Sequence, residues 1–246
     1  MPGTTLEPPR KTKSMLKFEI IGNDIQIIEV DLAPGEVVMA EAGMMLYIES
    51  GIEYEVLAHE GDENAPFLEK VFSAGSRFLT GESLFFTHFK NTNTTRSKVA
   101  FTTSYPGTLV PIELEQSPNH SLILQRDSFV CADPSTQVGV HLNRNLSAGF
   151  LGGEGFVFQK LRGKGTAIVH AAGSVIEKTL YHDTLRVEPG SVVAFEESIA
   201  FDVETAGSLR SMLFGGEGAI LATLSGEGRV WLQSMPIRKL LNRLQR

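Results

Sequence analysis

Apolar and polar residues alternate with a period of two through much of this chain. In the segment 52–57, Ile52, Tyr54 and Val56 alternate with glutamates. Successive side chains of a β-strand point to opposite faces of a sheet, so this period indicates half-buried strands. Turn residues separate the strands at 22–24 and 49–51. The pattern predicts an all-β protein in which 16–21 pairs with 25–30, and 44–48 with 52–57, as hairpins.

A short glycine-rich phrase occurs three times: Phe78-Leu79-Thr80-Gly81-Glu82-Ser83, Phe150-Leu151-Gly152-Gly153-Glu154-Gly155 and Leu213-Phe214-Gly215-Gly216-Glu217-Gly218. Each phrase follows a Pro-Gly pair that opens an apolar run, at Pro34, Pro106 and Pro189. The spacing is 47 residues from Pro34 to Gly81 and from Pro106 to Gly153, but 27 from Pro189 to Gly216. This predicts three repeats at about 30–105, 106–186 and 187–235, the last shortened by a loop.

The similarity continues after the phrase, because 155–171 aligns without gaps with 218–234. Both segments have glycines in the middle, which predicts two further hairpins. Repeats of this size cannot bury an apolar face alone. We therefore expect residues 16–235 to form one domain, a pseudo-threefold β-sandwich or barrel, after a flexible tail at 1–15.

The C-terminal segment 236–246 has a helical period instead. Its apolar residues stand at i, i+3, i+4 and i+7 among basic ones, and they are Ile237, Leu240, Leu241 and Leu244. This predicts a short basic amphipathic helix. Three roles stay open for it: docking on its own domain, docking on a second copy, or adhesion to an acidic membrane surface.

Composition restricts the partners. The chain has 246 residues, 24 glycines and a formal charge of −7. Net negative charge disfavours nucleic acid, because phosphate binding needs clustered Lys and Arg. The chain has one cysteine and no apolar run long enough for a membrane span, so we expect a cytoplasmic protein without disulfides, with peripheral membrane association as an alternative.

The candidate chemistry is sparse. Glu82, Glu154 and Glu217 follow glycines, but the phrases lack the lysine of a phosphate-binding loop, so backbone hydrogen bonding within the turn is the expected role. No His-X-His stands among the six histidines, so the sequence predicts no metal or other cofactor. His170 aligns with Gln233, which indicates an ordinary polar strand position. Cys131 lies in an apolar run, where a buried, inert thiol is expected.

The order of these segments, and above all 150–165 and its echo at 214–232, resembles the altered-inheritance-of-mitochondria family over residues 16–235. That resemblance implies a fold similar to the tryptophan RNA-binding attenuator protein, and it brings no catalytic residue. It also implies kinship with uncharacterised bacterial proteins and with a yeast mitochondrial member associated with inner-membrane organisation. We therefore predict a non-enzymatic binding or assembly scaffold that self-associates or meets a protein or membrane surface. The alternative is a cupin-like small-molecule binder or metal-dependent enzyme.

Overall fold

The computed structural model describes residues 16–59, 84–142, 157–205 and 220–236. These residues form seventeen strands and three short 3₁₀ turns. The strands are β1 (Phe18–Ile21), β2 (Ile27–Leu32), β3 (Val37–Glu41), β4 (Met45–Ile48), β5 (Ile52–His59), β6 (Leu84–Asn91), β7 (Ser97–Phe101), β8 (Gly107–Glu113), β9 (Ser121–Gln125), β10 (Phe129–Ala132), β11 (Gln137–Leu142), β12 (Val157–Arg162), β13 (Thr166–Ala172), β14 (Val175–Val187), β15 (Val192–Glu196), β16 (Ile199–Thr205) and β17 (Ile220–Gln233).

The strands assemble into three antiparallel sheets. Their orders are β1-β2-β7-β4, then β5-β6-β3-β10-β13-β8, then β11-β12-β9-β15-β17-β14, with β16 also paired to β17. The predicted all-β fold is confirmed. The predicted tail at 1–15 and the helix at 236–246 lie outside the described residues, apart from Pro236.

Most of the predicted hairpins are wrong, although their strands exist. The β1–β2 hairpin forms as predicted. By contrast, β4 pairs with β7 while β5 pairs with β6, and β12 and β13 belong to different sheets. The second glycine-centred hairpin is instead the continuous strand β17, which pairs with β14 along most of its length. At Gly51 and at Gly163 and Gly165 the chain passes from one sheet to another, so the strands on either side of these turns do not pair.

Pairing between distant strands follows a regular plan. β3 pairs with β10, and β9 pairs with β15. A one-residue shift in register interrupts four strand pairs in the described part of the chain. In three of them it directly follows the first paired residue: between Met45 and Tyr47 in β4–β7, between Phe129 and Cys131 in β10–β13, and between Val192 and Ala194 in β15–β17.

Three apolar clusters lie along the chain. The first contains Ile28, Phe89 and Phe101 and also receives Cys131 and Ile168. The second, around Leu122, Leu124, Phe129 and Val169, also receives Met39, Phe86, Val193 and Trp231. The third, around Phe195, Phe201 and Leu224, also receives Ile123 and Phe158. Each cluster is thus completed by residues from strands elsewhere in the chain.

Candidate functional site

β4 and β14 each end a sheet among the described residues, as do β1, β5, β8 and β11. In that part of the chain β4 pairs only with β7, and β14 pairs only with β17. Leu46 is 46% exposed and Tyr47 is 38% exposed, which is unusual for large residues inside a sheet. Tyr181 in β14 is 76% exposed. An edge of this kind presents backbone N–H and C=O groups that can accept another strand.

Two other strands whose register shifts directly after the first paired residue, β10 and β15, are buried. Val130 in β10 and Val193 in β15 stand at the position of Leu46, one residue after the start of the shift, and both are 0% exposed. Their burial follows from pairing, because β3 covers β10 and β9 covers β15. The first strand of this kind therefore lacks a neighbour that the other two have.

A polar cavity lies where the ends of several strands meet. Its volume is about 170 Å³, and it is lined by Tyr105, Gln125, Arg126, Asp127, Ser128, His170, Gly190 and Gln233. Ser128 and His170 are buried, whereas Arg126 and Asp127 are exposed. The two charged residues thus stand at the mouth and the buried polar ones on the floor.

The turn between β9 and β10 shapes this cavity. Ser128 donates its backbone N–H to the carbonyl of Gln125 at 3.2 Å, which closes the turn. Asp127 adopts a φ of 68°, in the left-handed region that Asp tolerates better than most residues. Gln233 spans the cavity floor, donating from Nε2 to the carbonyl of Gly190 at 2.8 Å and to Gln125 Oε1 at 3.3 Å.

Burial controls the protonation of groups around the cavity. It lowers the pKa of His170 to about 4, with a hydrogen bond from the imidazole to the backbone of Tyr105 opposing the shift. The imidazole is therefore neutral near pH 7, and its buried Nε2 has no hydrogen-bond partner among the described residues. Burial also raises the pKa of Tyr105, so its phenol stays protonated.

Glu41 stands behind the charged turn. Burial raises the pKa of its carboxyl to about 7; the Asp127 carboxylate adds to the shift and the Arg126 guanidinium opposes it. Its Oε2 atom is buried without a hydrogen-bond partner in the described part of the chain. Glu41 lies at the same position in the β3–β4 turn as Gln125 in the β9–β10 turn, since Met44 bonds to the carbonyl of Glu41 as Ser128 does to that of Gln125.

The sequence-predicted residues have different outcomes. Ile237, Leu240, Leu241 and Leu244 lie outside the described residues, as do Glu82, Glu154 and Glu217. Cys131 is fully buried, and this burial raises the pKa of its thiol, as expected for an inert cysteine. His170 and Gln233, which the sequence aligned with each other, both line the cavity.

Sequence reasoning missed the cavity itself. One signal was present: Arg126 and Asp127 are the charged pair between the buried segments 122–124 and 129–132. Within the described residues, no group of three or more His, Cys, Asp or Glu side chains could hold a metal ion. The helices of the described chain include none with the length and apolar character of a membrane span.

Comparison with known proteins places the chain among uncharacterised relatives. Residues 18–235 match the family model described as mitochondrial biogenesis AIM24. An uncharacterized protein of Streptococcus pyogenes serotype M6, M6_Spy0233, is 24% identical over 221 residues, which cover 89% of this chain and 86% of that protein. The crystal structure of SPYM3_0169 from Streptococcus pyogenes has a TM-score of 0.71 at 24% identity, covering 94% of this chain and 98% of that one. At this identity the crystal structure shows a shared fold.

Proposed function

This chain belongs to the mitochondrial biogenesis AIM24 family, and we propose from its geometry that it is a non-enzymatic assembly module. The Streptococcus pyogenes relative described above is uncharacterised and does not indicate a function. Three similar units within one chain are joined by strand pairing, and copies of the chain join in the same way. The segment 183–187 of one copy pairs with β4 of the next. The observation that carries this proposal is the exposure of β4, when the corresponding strands β10 and β15 are buried.

Backbone conformation supports three equivalent units. Left-handed φ values recur at Gly35, Asn119 and His182. Each of these residues lies ten positions before the start of a register shift, at Met45, Phe129 and Val192. Isolated parallel bridges also join Ile25 to Gly107 and Gly107 to Gly173. These bridges support repeats that begin near 25, 107 and 173, so we propose that the third repeat begins earlier than the Pro-Gly spacing predicts.

The apolar clusters support the same plan. The middle cluster receives Met39 from the unit before it and Val193 from the unit after it. The first cluster receives Val130 from the second unit, and the third receives Ile123 from the second unit. The first and third units therefore each pack against one other unit, whereas the middle unit packs against two. A second copy would supply the missing neighbour.

The internal pairings define the register of the proposed interface. Ala40 stands opposite Cys131, and Leu124 opposite Ala194. The equivalent pair between two copies is Val187 opposite Tyr47. The neighbouring pairs then follow by antiparallel pairing: Arg186 opposite Ile48, and Leu185 opposite Glu49.

This interface joins two different surfaces, so it is heterologous. Such a contact produces a closed ring if the rotation between copies closes, and an open filament if it does not. Self-association is therefore the expected state of the protein in solution. Cytoplasmic location stays a prediction, as does adhesion of 236–246 to a membrane surface. The adhesion predicts that truncation after Met235 abolishes binding to vesicles.

The test compares the molar mass of the full chain and its variants by analytical ultracentrifugation. Leu46→Lys places a charge next to the Val187–Tyr47 pair, at the position that is buried in β10 and β15, and should yield monomers that keep the wild-type circular dichroism spectrum. Ile176→Lys is the matched control, because Ile176 is 53% exposed in β14 but lies outside the proposed register. It should associate like the wild type.

Cross-linking tests the register. Oxidation of the double variant Tyr47→Cys, Val187→Cys should produce covalent oligomers, while the shifted pair Tyr47→Cys, Arg186→Cys should not. Cys131 is buried and does not compete. A wild-type protein that stays monomeric, or association that survives Leu46→Lys, would refute the proposal.

A further inference from the structure

We propose that the cavity between the β9–β10 turn and Gly190 binds a small neutral polyhydroxylated molecule of about the size of a hexose. The site lies within one chain, so it goes beyond the assembly proposed above and does not depend on it. Its lining comes from Tyr105, the turn 125–128, His170, Gly190 and Gln233.

The volume sets the size of the ligand. A cavity of about 150 Å³ holds one benzene molecule, and a liquid water molecule occupies about 30 Å³. The observed 170 Å³ therefore suits a single six-membered ring, with its substituents reaching toward the mouth. Larger molecules would have to leave most of their surface outside.

The charges of the lining cancel. Arg126 and Asp127 carry opposite charges, and their closest ion-pair atoms, Nε and Oδ1, are 3.9 Å apart. His170 is neutral near pH 7 because burial lowers its pKa to about 4. A charged ligand would therefore enter without a net opposite charge, at a cost in desolvation. A neutral ligand avoids the cost of desolvating a charge, and hydrogen bonds to the lining offset the smaller cost of desolvating its hydroxyls.

The polar atoms suit hydroxyl groups. A hydroxyl both donates and accepts, and the lining offers a guanidinium that only donates next to a carboxylate that only accepts. The Ser128 and Tyr105 hydroxyls can do either. The Nε2 atom of His170 does not take part, because it is buried beside Gly107 and out of contact with the cavity space.

One wall of the cavity is aromatic. The rings of Tyr105 and His170 lie 5.6 Å apart between centroids at an interplanar angle of 41°. Ring faces of this kind can pack against the C–H face of a cyclic polyol, while its hydroxyls point to the polar side. The same ring faces would make few favourable contacts with a small inorganic ion.

The experiment titrates the full chain, observed by NMR, with glucose, galactose, mannose, myo-inositol and sorbitol. Cyclohexanol, cyclohexanecarboxylate and cyclohexylammonium serve as ring-sized comparisons that carry one hydroxyl, a negative charge or a positive charge. At least one polyol should bind saturably and more tightly than all three comparisons. If no polyol saturates, or if a comparison compound binds as tightly, the inference is wrong.

Variants locate the binding. Arg126→Gln and Asp127→Asn should each weaken polyol binding about tenfold, because each removes a hydrogen bond to a charged group. Asn also tolerates the left-handed conformation at position 127. Glu115→Gln is the control, since it changes an exposed carboxylate that does not line the cavity. Unchanged affinity in both cavity variants would overturn the assignment. The same titration on Leu46→Lys separates this result from any failure of the assembly proposal.

Discussion

The buried carboxyl of Glu41 makes the stability of the protein depend on pH. Its pKa rises from an ordinary 4.5 to about 7 in the folded chain. The folded state therefore binds this proton more tightly than the unfolded state does. The resulting stabilisation is fully present below pH 4.5 and is lost as the pH rises through 7. The difference between the two pKa values corresponds to an upper limit of about 3 kcal/mol.

Replacing Glu41 by Gln removes this titration, and Gln is the residue at the corresponding position 125. We expect the Glu41→Gln variant to match the wild type near pH 4.5 and to exceed its free energy of unfolding by up to about 3 kcal/mol at pH 8. Urea unfolding at a series of pH values measures both proteins. Glu53→Gln, at an exposed position in β5, is the control and should leave the profile unchanged. Parallel profiles for Glu41→Gln and the wild type would refute the assignment.

Three further predictions concern single side chains. The Cys131 thiol is buried and its pKa is raised, so a maleimide should label it only after unfolding; rapid labelling of the native protein would contradict this. Arg186→Met should strengthen self-association about tenfold, because Met39 and Ile123 occupy the corresponding positions and are buried; weaker association in sedimentation would count against the register. Glu196→Ala should destabilise the fold by about 3 kcal/mol by leaving Arg229 without its carboxylate, whereas Glu196→Gln should cost less; equal costs in urea unfolding would exclude this explanation.

The sequence predicted strands well and their partners poorly. The segment 166–171 was expected as a strand, and β13 occupies Thr166–Ala172. Its expected partner β12 lies in another sheet, because the chain crosses between sheets at Gly163 and Gly165. Glycines allow both a tight return and a crossing, so turn composition does not decide between them. The choice depends on burial by strands distant in the sequence.

The Pro-Gly pairs illustrate a second limit of sequence reading. They open β3, β8 and β15, which occupy different places in the pairing plan. The left-handed backbone positions match better, yet three different residue types occupy them: Gly35, Asn119 and His182. The proposed units thus share a backbone conformation there but not a residue type, so the sequence does not reveal the equivalence that we propose.

The cavity could not be predicted because its lining is gathered from distant parts of the chain. Tyr105 precedes β8, Gly190 precedes β15, and Gln233 ends β17. The alignment of His170 with Gln233 was the useful clue, because it assigned two polar side chains to equivalent positions, and both side chains line the cavity. From the sequence alone it indicates only an ordinary polar strand position, because the sequence does not show that His170 is 3% exposed.

The two proposals together fix a stoichiometry. The cavity lies between the turns at 125–128 and 188–191, where the proposed second and third units meet. The proposed contact between copies would bring the turn at 188–191 against the turn at 41–44 of the next copy, and neither of these turns contains an arginine or an aspartate. That junction therefore lacks the charged pair to which we assign polyol binding. One polyol should bind per chain in the assembled wild type and also in the Leu46→Lys monomer, and isothermal titration that found two sites per chain after assembly would contradict this assignment.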